Sequence, residues 1–263
     1  MQRAASLVLC LAIVSAAGPA HAQAAPATTT VPKKTVAILY FDNYTGQSDY
    51  DALGKGISSM MISDLSSVQE IQLVERDRMQ DLLKEMELQH SKYFDSTTAL
   101  KAGKMVGAQY VVVGAFAAVN PQMRIDTRVV KVETGEIVKT AQVTGDQNKF
   151  FDLEQKLADR LVDGLGLALS PEEQAKLAAQ EQADRIDALS TVEAFSQALS
   201  YYDKKDYDNA MSHMTPVVTK APNSMVVKVA FDEIKAHAAQ SAADKAKDKV
   251  KSMLPGFRRP PIH

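Results

Sequence analysis

Repeated changes in hydrophobic spacing constrain the fold of this chain most strongly. Residues 36–41 form a continuous apolar run of strand length, which is typical of a strand buried on both faces. From Asp51 the apolar residues recur every three or four positions, as on the buried face of a helix. A short strand at 71–74, two more helices and the most apolar strand, at 110–116, follow. This order predicts an α/β domain with a mixed sheet flanked by helices.

Two short turns, Asn120-Pro121 and Thr134-Gly135, then separate strand-length segments. The segment between them alternates apolar and polar side chains, as a strand with one exposed face does. Strands joined by such turns pair antiparallel, and an amphipathic helix from Phe150 should cover them. We expect this α/β domain to span residues 35–168.

The sequence after this domain has only helical spacing. Ser170 precedes Glu173 by three positions, which is the signature of a capping box at a helix start. Ser190 begins a similar pattern, so a further helix is predicted to start there. We expect a helical extension over residues 170–252 and a flexible tail at 253–263.

The N-terminus carries the pattern of an export signal. A positive start precedes an apolar run at 4–17, and small residues lead to Ala22. This pattern predicts a signal peptide at 1–22 that is cleaved between Ala22 and Gln23. The apolar run is shorter than the roughly 20 residues of a spanning helix, which favours cleavage over a retained anchor. We expect a periplasmic protein that begins with a disordered leader at 23–34.

Cysteine and charge content argue against several classes of protein. Cys10 is the only cysteine, and it lies inside the apolar run after the bulky Leu9, which disfavours lipidation. Its removal would leave no thiol for a disulfide or a metal. The 30 basic and 32 acidic residues give a net charge of -2, which offers no positive field to nucleic acid. We expect no nucleic-acid partner and no membrane-spanning segment in the mature chain.

Residues suited to catalysis or cofactor binding are not grouped. The four histidines after the signal are isolated, and no G-x-S-x-G motif is present. Gly54-Lys55-Gly56 at a helix start could present backbone N–H groups to a phosphate, but it lacks the rest of either phosphate-binding motif, and a plain helix entry is the alternative. The charged run at 75–78 is a solvated first helical turn or, alternatively, holds a catalytic carboxylate. We expect no enzymatic activity, cofactor, metal or small-molecule substrate.

Four segments of the α/β domain form a specific combination when taken in order: 36–43, 74–76 with 82–85, 107–114, and 128–130 with 134–137. Together they resemble the CsgG-type family of the curli-secretion component, whose fold is similar to the amino-terminal domain of TolB and to the LpoB-type activators of cell-wall synthases. The resemblance covers about residues 36–165. It implies an α/β domain that binds envelope proteins or further copies of itself.

Curli-type members of this family are lipid-anchored rings that insert two hairpins per subunit into the outer membrane. This chain departs from them because Cys10 is unsuited to lipidation and the turns at Asn120-Pro121 and Thr134-Gly135 leave no room for inserted strands. The resemblance therefore implies a periplasmic domain and argues against a pore.

The helical extension has a second, partial resemblance, to a tetratricopeptide repeat over about residues 191–222. An ordinary antiparallel helix pair is the alternative, because such repeats usually occur in about three copies. In these repeats the ligand-facing side of the first helix would carry Phe195, Leu199, Tyr202 and Asp203. The resemblance implies partner binding by these four residues, with core packing as the alternative for Phe195 and Leu199.

These inferences together predict a non-catalytic periplasmic protein that binds other proteins, or itself, in the assembly of the cell envelope or of a secretion system. A partner would provide any association with the outer membrane. One alternative is a ring subunit of an outer-membrane, curli-type secretion apparatus. The other is an enzyme of unknown class.

Overall fold

The computed structural model describes residues 32–85, 93–119 and 121–253. The predicted signal peptide, its cleavage pair Ala22-Gln23 and the tail from residue 254 onward lie outside these ranges. From residue 32 onward the described residues belong to one compact unit.

Strands and helices alternate first, and helices alone follow. The strands are β1 (Lys34–Ile38), β2 (Asp42–Asn43), β3 (Ile71–Leu73), β4 (Tyr110–Val119), β5 (Gln122–Lys131) and β6 (Ile137–Asp146). The helices are α1 (Leu53–Leu65), α2 (Arg76–Glu85), α3 (Ser96–Val106), α4 (Phe150–Gly164), α5 (Pro171–Ala183), α6 (Leu189–Asp203), α7 (Tyr207–Lys220) and α8 (Met225–Met253).

The strands form one mixed sheet in the order β3-β1-β4-β5-β6, with β2 also paired to β4. The pairs β1–β3, β1–β4 and β2–β4 are parallel, whereas β4–β5 and β5–β6 are antiparallel. The mixed sheet and its antiparallel meander are therefore confirmed.

Side-chain alternation divides the core between the two faces of the sheet. Val36 and Ile38 face one hydrophobic cluster, which includes residues of α1 and α4, and Ala37 faces the other, which includes residues of α2 and α3. Strand β1 is apolar throughout because helices cover both of its faces. Strand β5 alternates because its polar residues, such as Arg124, point away from the core.

Helix α1 lies between the sheet and the helical extension. The cluster that contains Ile57 continues through Phe195 and Met214 of the helical extension to Ile234 of α8. Two glycines of α1 permit its close approach to the chain around Phe41 on one side and to α6 on the other. A Cβ at Gly54 would lie 1.9 Å from the carbonyl oxygen of Phe41, and a Cβ at Gly56 would lie 2.0 Å from Ser196 Oγ.

The helix ends follow local sequence signals in two cases and depart from them in one. Ser170 and Glu173 form the predicted capping box, and Gly107 ends α3 with a φ of 70°. The predicted start at Ser190 is wrong, because α6 begins at Leu189 with Ala188 as N-cap. Burial of Leu189 against the core draws this residue into the first helical turn. The last helix, α8, runs without a break for 29 residues.

Alanine at either glycine should destabilise the protein, and Gly54→Ala should cost more. The added methyl group at position 54 meets backbone, which cannot move alone, whereas at position 56 it meets a side chain. We expect a loss of about 3 kcal/mol or more for Gly54→Ala and of about 1–2 kcal/mol for Gly56→Ala in urea unfolding. In the double variant Gly56→Ala/Ser196→Ala the two losses should be less than additive, and simple additivity would contradict this packing.

Candidate functional site

The four residues proposed for partner binding lie on α6 but face different surroundings. Phe195 is 0% exposed and Leu199 is 2% exposed, within the cluster that includes α1. Both are therefore core residues in this structure, which matches the alternative considered for them. Tyr202 is partly buried at the end of the helix, and the Asp203 side chain is only 3% exposed.

Asp203 joins three elements through two ion pairs. Its Oδ2 accepts from Lys55 Nζ of α1 at 2.5 Å, and its Oδ1 accepts from Arg76 Nη1 at the start of α2 at 2.7 Å. Burial by itself would lower the pKa of Arg76, but Asp203, together with Tyr40 and Asp77, more than offsets this and raises the pKa above its usual value. These bonds fasten the helical extension to the α/β domain, and the Asp203 side chain has little exposed surface to offer a partner.

Sequence reasoning missed both cationic partners of Asp203. The 75–78 run indicated a solvated helical turn, yet the Arg76 side chain is only 10% exposed. In the sequence, Lys55 belongs to the Gly54-Lys55-Gly56 segment that could bind a phosphate. Its ammonium group binds Asp203, and its two glycine neighbours serve helix packing, so plain helix entry is the better interpretation. The ion pairs span 127 and 148 residues, and no local pattern indicates them.

Tyr202 lies where α2, α6 and α8 meet. We call the surface that it forms with Asp77, Glu233 and His237 the seam. The guanidinium carbon of Arg76 lies 5.6 Å from the centre of the Tyr202 ring, and the hydroxyl donates a long 3.5 Å hydrogen bond to Asp77. The ring also contacts His237 of α8 edge-on, with 5.5 Å between centroids. Burial, followed by the charges of Asp77 and Glu233, raises the pKa of Tyr202. Residues distant in sequence thus form one partly exposed surface.

A polar cleft of about 840 Å³ lies beside this network, beyond the carboxyl end of β1. Ligands of open α/β sheets often bind in such a position. Its lining includes three aspartates (Asp42, Asp51 and Asp203) and three lysines (Lys55, Lys84 and Lys204). Because these charges balance, the lining carries no net charge. Within the described ranges, no group of three or more His, Cys, Asp or Glu side chains is placed to hold a metal ion.

Three buried carboxyl groups meet where α5 packs against α1 and α4. Asp64, Glu154 and Glu181 are each at most 2% exposed, and each has at least one oxygen without a hydrogen-bond partner. In the part of the chain that the structure describes, no lysine or arginine forms an ion pair with them. Asp184 lies nearby but accepts three hydrogen bonds, including one from Ser63 Oγ at 2.5 Å.

Burial is the main cause of the raised pKa values in this cluster. It raises the pKa of Asp64 to about 6, against the opposing effect of the neighbouring Glu154 carboxyl, and it raises the pKa of Glu181 to about 7. Burial and the neighbouring Asp64 carboxyl raise the pKa of Glu154 well above its usual value. The junction between α5 and the α/β domain therefore retains protons near neutral pH.

None of the helices in the described ranges is both long and apolar enough to cross a membrane.

Removal of the Asp203 carboxylate should destabilise the protein strongly. Asp203→Ala leaves Arg76 and Lys55 without their shared anion, and an uncompensated buried charge costs about 3–5 kcal/mol. Chemical denaturation measures the loss. Asp208→Ala, on the exposed side of α7, removes an equal charge and should change the stability by less than about 1 kcal/mol. Equal losses for the two variants would contradict a structural role for the ion pairs.

Stability should fall as the pH rises through the range in which the buried carboxyls titrate. Their folded pKa values are raised, so the folded protein binds more protons than the unfolded chain above about pH 4. The resulting loss is on the order of 3 kcal/mol by pH 8 for a shift of about two units, as at Asp64. Glu154→Gln cannot ionise and should flatten the dependence measured by urea unfolding between pH 5 and 8. Glu136→Gln, at an exposed site, should leave the dependence unchanged, and a similar change in both variants would contradict the prediction.

Comparisons with known proteins extend the sequence resemblance. The family model of the curli production assembly/transport component CsgG matches residues 17–120, which is less than half of the chain. A search of curated proteins finds no significant match.

Several solved structures are similar to parts of the chain. The LpoB C-terminal domain from Salmonella enterica has 17% identity and a TM-score of 0.38, and covers 46% of this chain and 88% of its own. Lipoprotein GNA1162 from Neisseria meningitidis has 11% identity and a TM-score of 0.40, and the match covers 52% of this chain and 99% of the lipoprotein chain. The PelC dodecamer from Paraburkholderia phytofirmans has 14% identity and a TM-score of 0.34, and the match covers 52% of this chain and 90% of the PelC chain. At such scores these structures carry no functional inference.

The family model covers all the elements from β1 to β4, including α1, α2 and α3, and stops before the meander is complete. The predicted resemblance to the CsgG-type family over residues 36–165 is thus confirmed for residues 36–120, and residues 121–165 lie outside the matched range.

Proposed function

We propose that this protein is a non-catalytic, periplasmic component of cell-envelope or secretion-system assembly that acts by binding other proteins or itself. The match of residues 17–120 to an assembly and transport component supports the envelope role. The predicted signal peptide at 1–22 supports export. Association with the outer membrane would then depend on a partner, because Cys10 is unsuited to lipidation.

The seam around Tyr202 is the observation that carries this proposal. It combines Asp77 of α2, Tyr202 of α6 and Glu233 of α8 in one accessible place. The buried ion pairs of Asp203 fix the arrangement, because they hold α2 and α6 together from within. A surface that is assembled by a rigid interior needs little reordering on binding, which favours affinity for a partner.

Tyrosine is well suited to this position. It is enriched among the residues that dominate protein interfaces, because a ring with a polar tip contributes area at a low cost in conformational entropy. Tyr202 keeps part of its surface exposed, whereas Phe195 and Leu199 do not. Of the four residues considered from the sequence, Tyr202 is the one that we propose for direct contact, and Asp203 is a positioning residue.

Site-specific photocrosslinking in the native host tests the proposal. A photoreactive residue at Tyr202 or at Val229 of α8 should give discrete covalent adducts with envelope proteins or with further copies of this chain. The same residue at Val138, on the exposed part of β6, serves as a control that presents a different surface. Adducts that are absent, or identical at all three positions, would overturn the proposed role of the seam.

A further inference from the structure

An amphipathic groove of about 480 Å³ adjoins the seam, between α1, the start of α2 and α8. Its lining includes Ile62 of α1 and Leu199 of α6, together with Met225 and Val229, which lie one turn apart on α8. Met225 is 45% exposed and Val229 is 54% exposed. Large apolar side chains at this exposure, beside a concave surface, are typical of a site that another chain covers.

This groove carries a negative charge, and we call it the acidic groove. Its charged lining consists of Glu75, Asp77, Glu233 and Arg76. Arg76 is shared between the buried Asp203 and Asp77, whose Oδ1 lies 3.3 Å from Arg76 Nη2. One guanidinium therefore faces the three carboxylates of the lining, and the groove keeps a negative charge. Glu75, Asp77 and Glu233 line the same groove. Burial, followed by the charge of Asp77, raises the pKa of Glu233, against the opposing effects of Arg76 and His237. A suitable occupant combines apolar side chains with neighbouring basic ones.

The end of this chain has that combination. The sequence after α8 contains the apolar residues Leu254 and Phe257, followed directly by Arg258 and Arg259. We propose that residues 254–263 of one copy bind in the acidic groove of a second copy. This inference rests on the proposed function, because it names one partner of the seam, namely the protein itself.

Geometry excludes binding of the tail to its own groove. Helix α8 is continuous from Met225 to Met253, so Val229 lies roughly 36 Å from Met253 at 1.5 Å per residue. From Met253 to Phe257 the chain spans only four steps, or about 14 Å when fully extended. The apolar residues of the tail therefore reach the apolar side of a groove only on another molecule. Two copies that exchange tails in this way would form a closed, symmetric dimer.

Complementary charge reversal tests the proposal in the purified protein. The groove variant is Glu75→Lys/Glu233→Lys, and the tail variant is Arg258→Glu/Arg259→Glu. Each variant alone opposes like charges and should dimerise at least about tenfold more weakly than the wild type in sedimentation velocity. An equimolar mixture should associate again, because every tail then meets a groove of opposite charge.

A matched control distinguishes an effect of charge in the groove from an effect of the net charge of the protein. Glu133→Lys/Glu136→Lys changes the charge by the same amount at the exposed turn between β5 and β6 and should leave dimerisation unchanged. A monomeric wild type at all concentrations, tail variants that dimerise normally or a mixture that fails to associate would each overturn the inference. If the groove variant does not fold, a labelled peptide of residues 252–263 supplies a second test. It should bind the wild type and should be displaced by excess unlabelled peptide, and a lack of binding would also overturn the inference.

The two proposals can fail separately. If the dimerisation test fails while Tyr202 still crosslinks to other envelope proteins, the tail does not occupy the groove but the seam binds partners. If Tyr202 gives no adducts either, the proposed function fails as well.

Discussion

The burial of α1 on two sides is the constraint on which the rest of the structure depends. Its sheet-facing side packs on β1, and its other side packs on the helical extension, so a single hydrophobic cluster continues from Val36 to Ile234. Gly54 and Gly56 are needed because backbone and side-chain atoms of both neighbours lie within contact distance of α1. An added methyl group at Gly54 therefore disturbs the packing of α1 within the α/β domain, and one at Gly56 disturbs the attachment of the extension.

Polar groups at the same junction add specificity to this packing. Asp203 pairs with both Lys55 and Arg76, and this ion-pair network holds α1, α2 and α6 at a defined position. The carboxyl cluster around Glu154 is the opposite case, because its acidic groups are buried without an ion-pair partner. Removal of charge from water is costly, so burial raises the pKa values of these carboxyls and makes the junction sensitive to rising pH. The seam and the acidic groove lie at the outer edge of this fixed arrangement.

The sequence predicted the sheet better than the site. Strands β1 and β4 were recognisable because burial on both faces requires apolar residues at every position, and the Ser170 capping box was recognisable because its partners lie three residues apart. The start of α6 was missed because burial of Leu189 outweighs the local capping signal of Ser190. Arg76 was missed because its partner is 127 residues away, and an isolated charged residue in sequence looks solvated.

The sequence by itself determined the order of strands and helices, the antiparallel meander and the resemblance to the CsgG-type family, because hydrophobic spacing and turn residues act over a few positions. It also indicated that Tyr202 lies on a helix and is a candidate for partner binding. Only the tertiary structure decided that Phe195 is core, that Asp203 is an internal anchor, and that Asp77, Tyr202 and Glu233 share one surface. The physical reason is that ion pairs and surface charge depend on distances between side chains from remote segments, and chain spacing does not encode those distances.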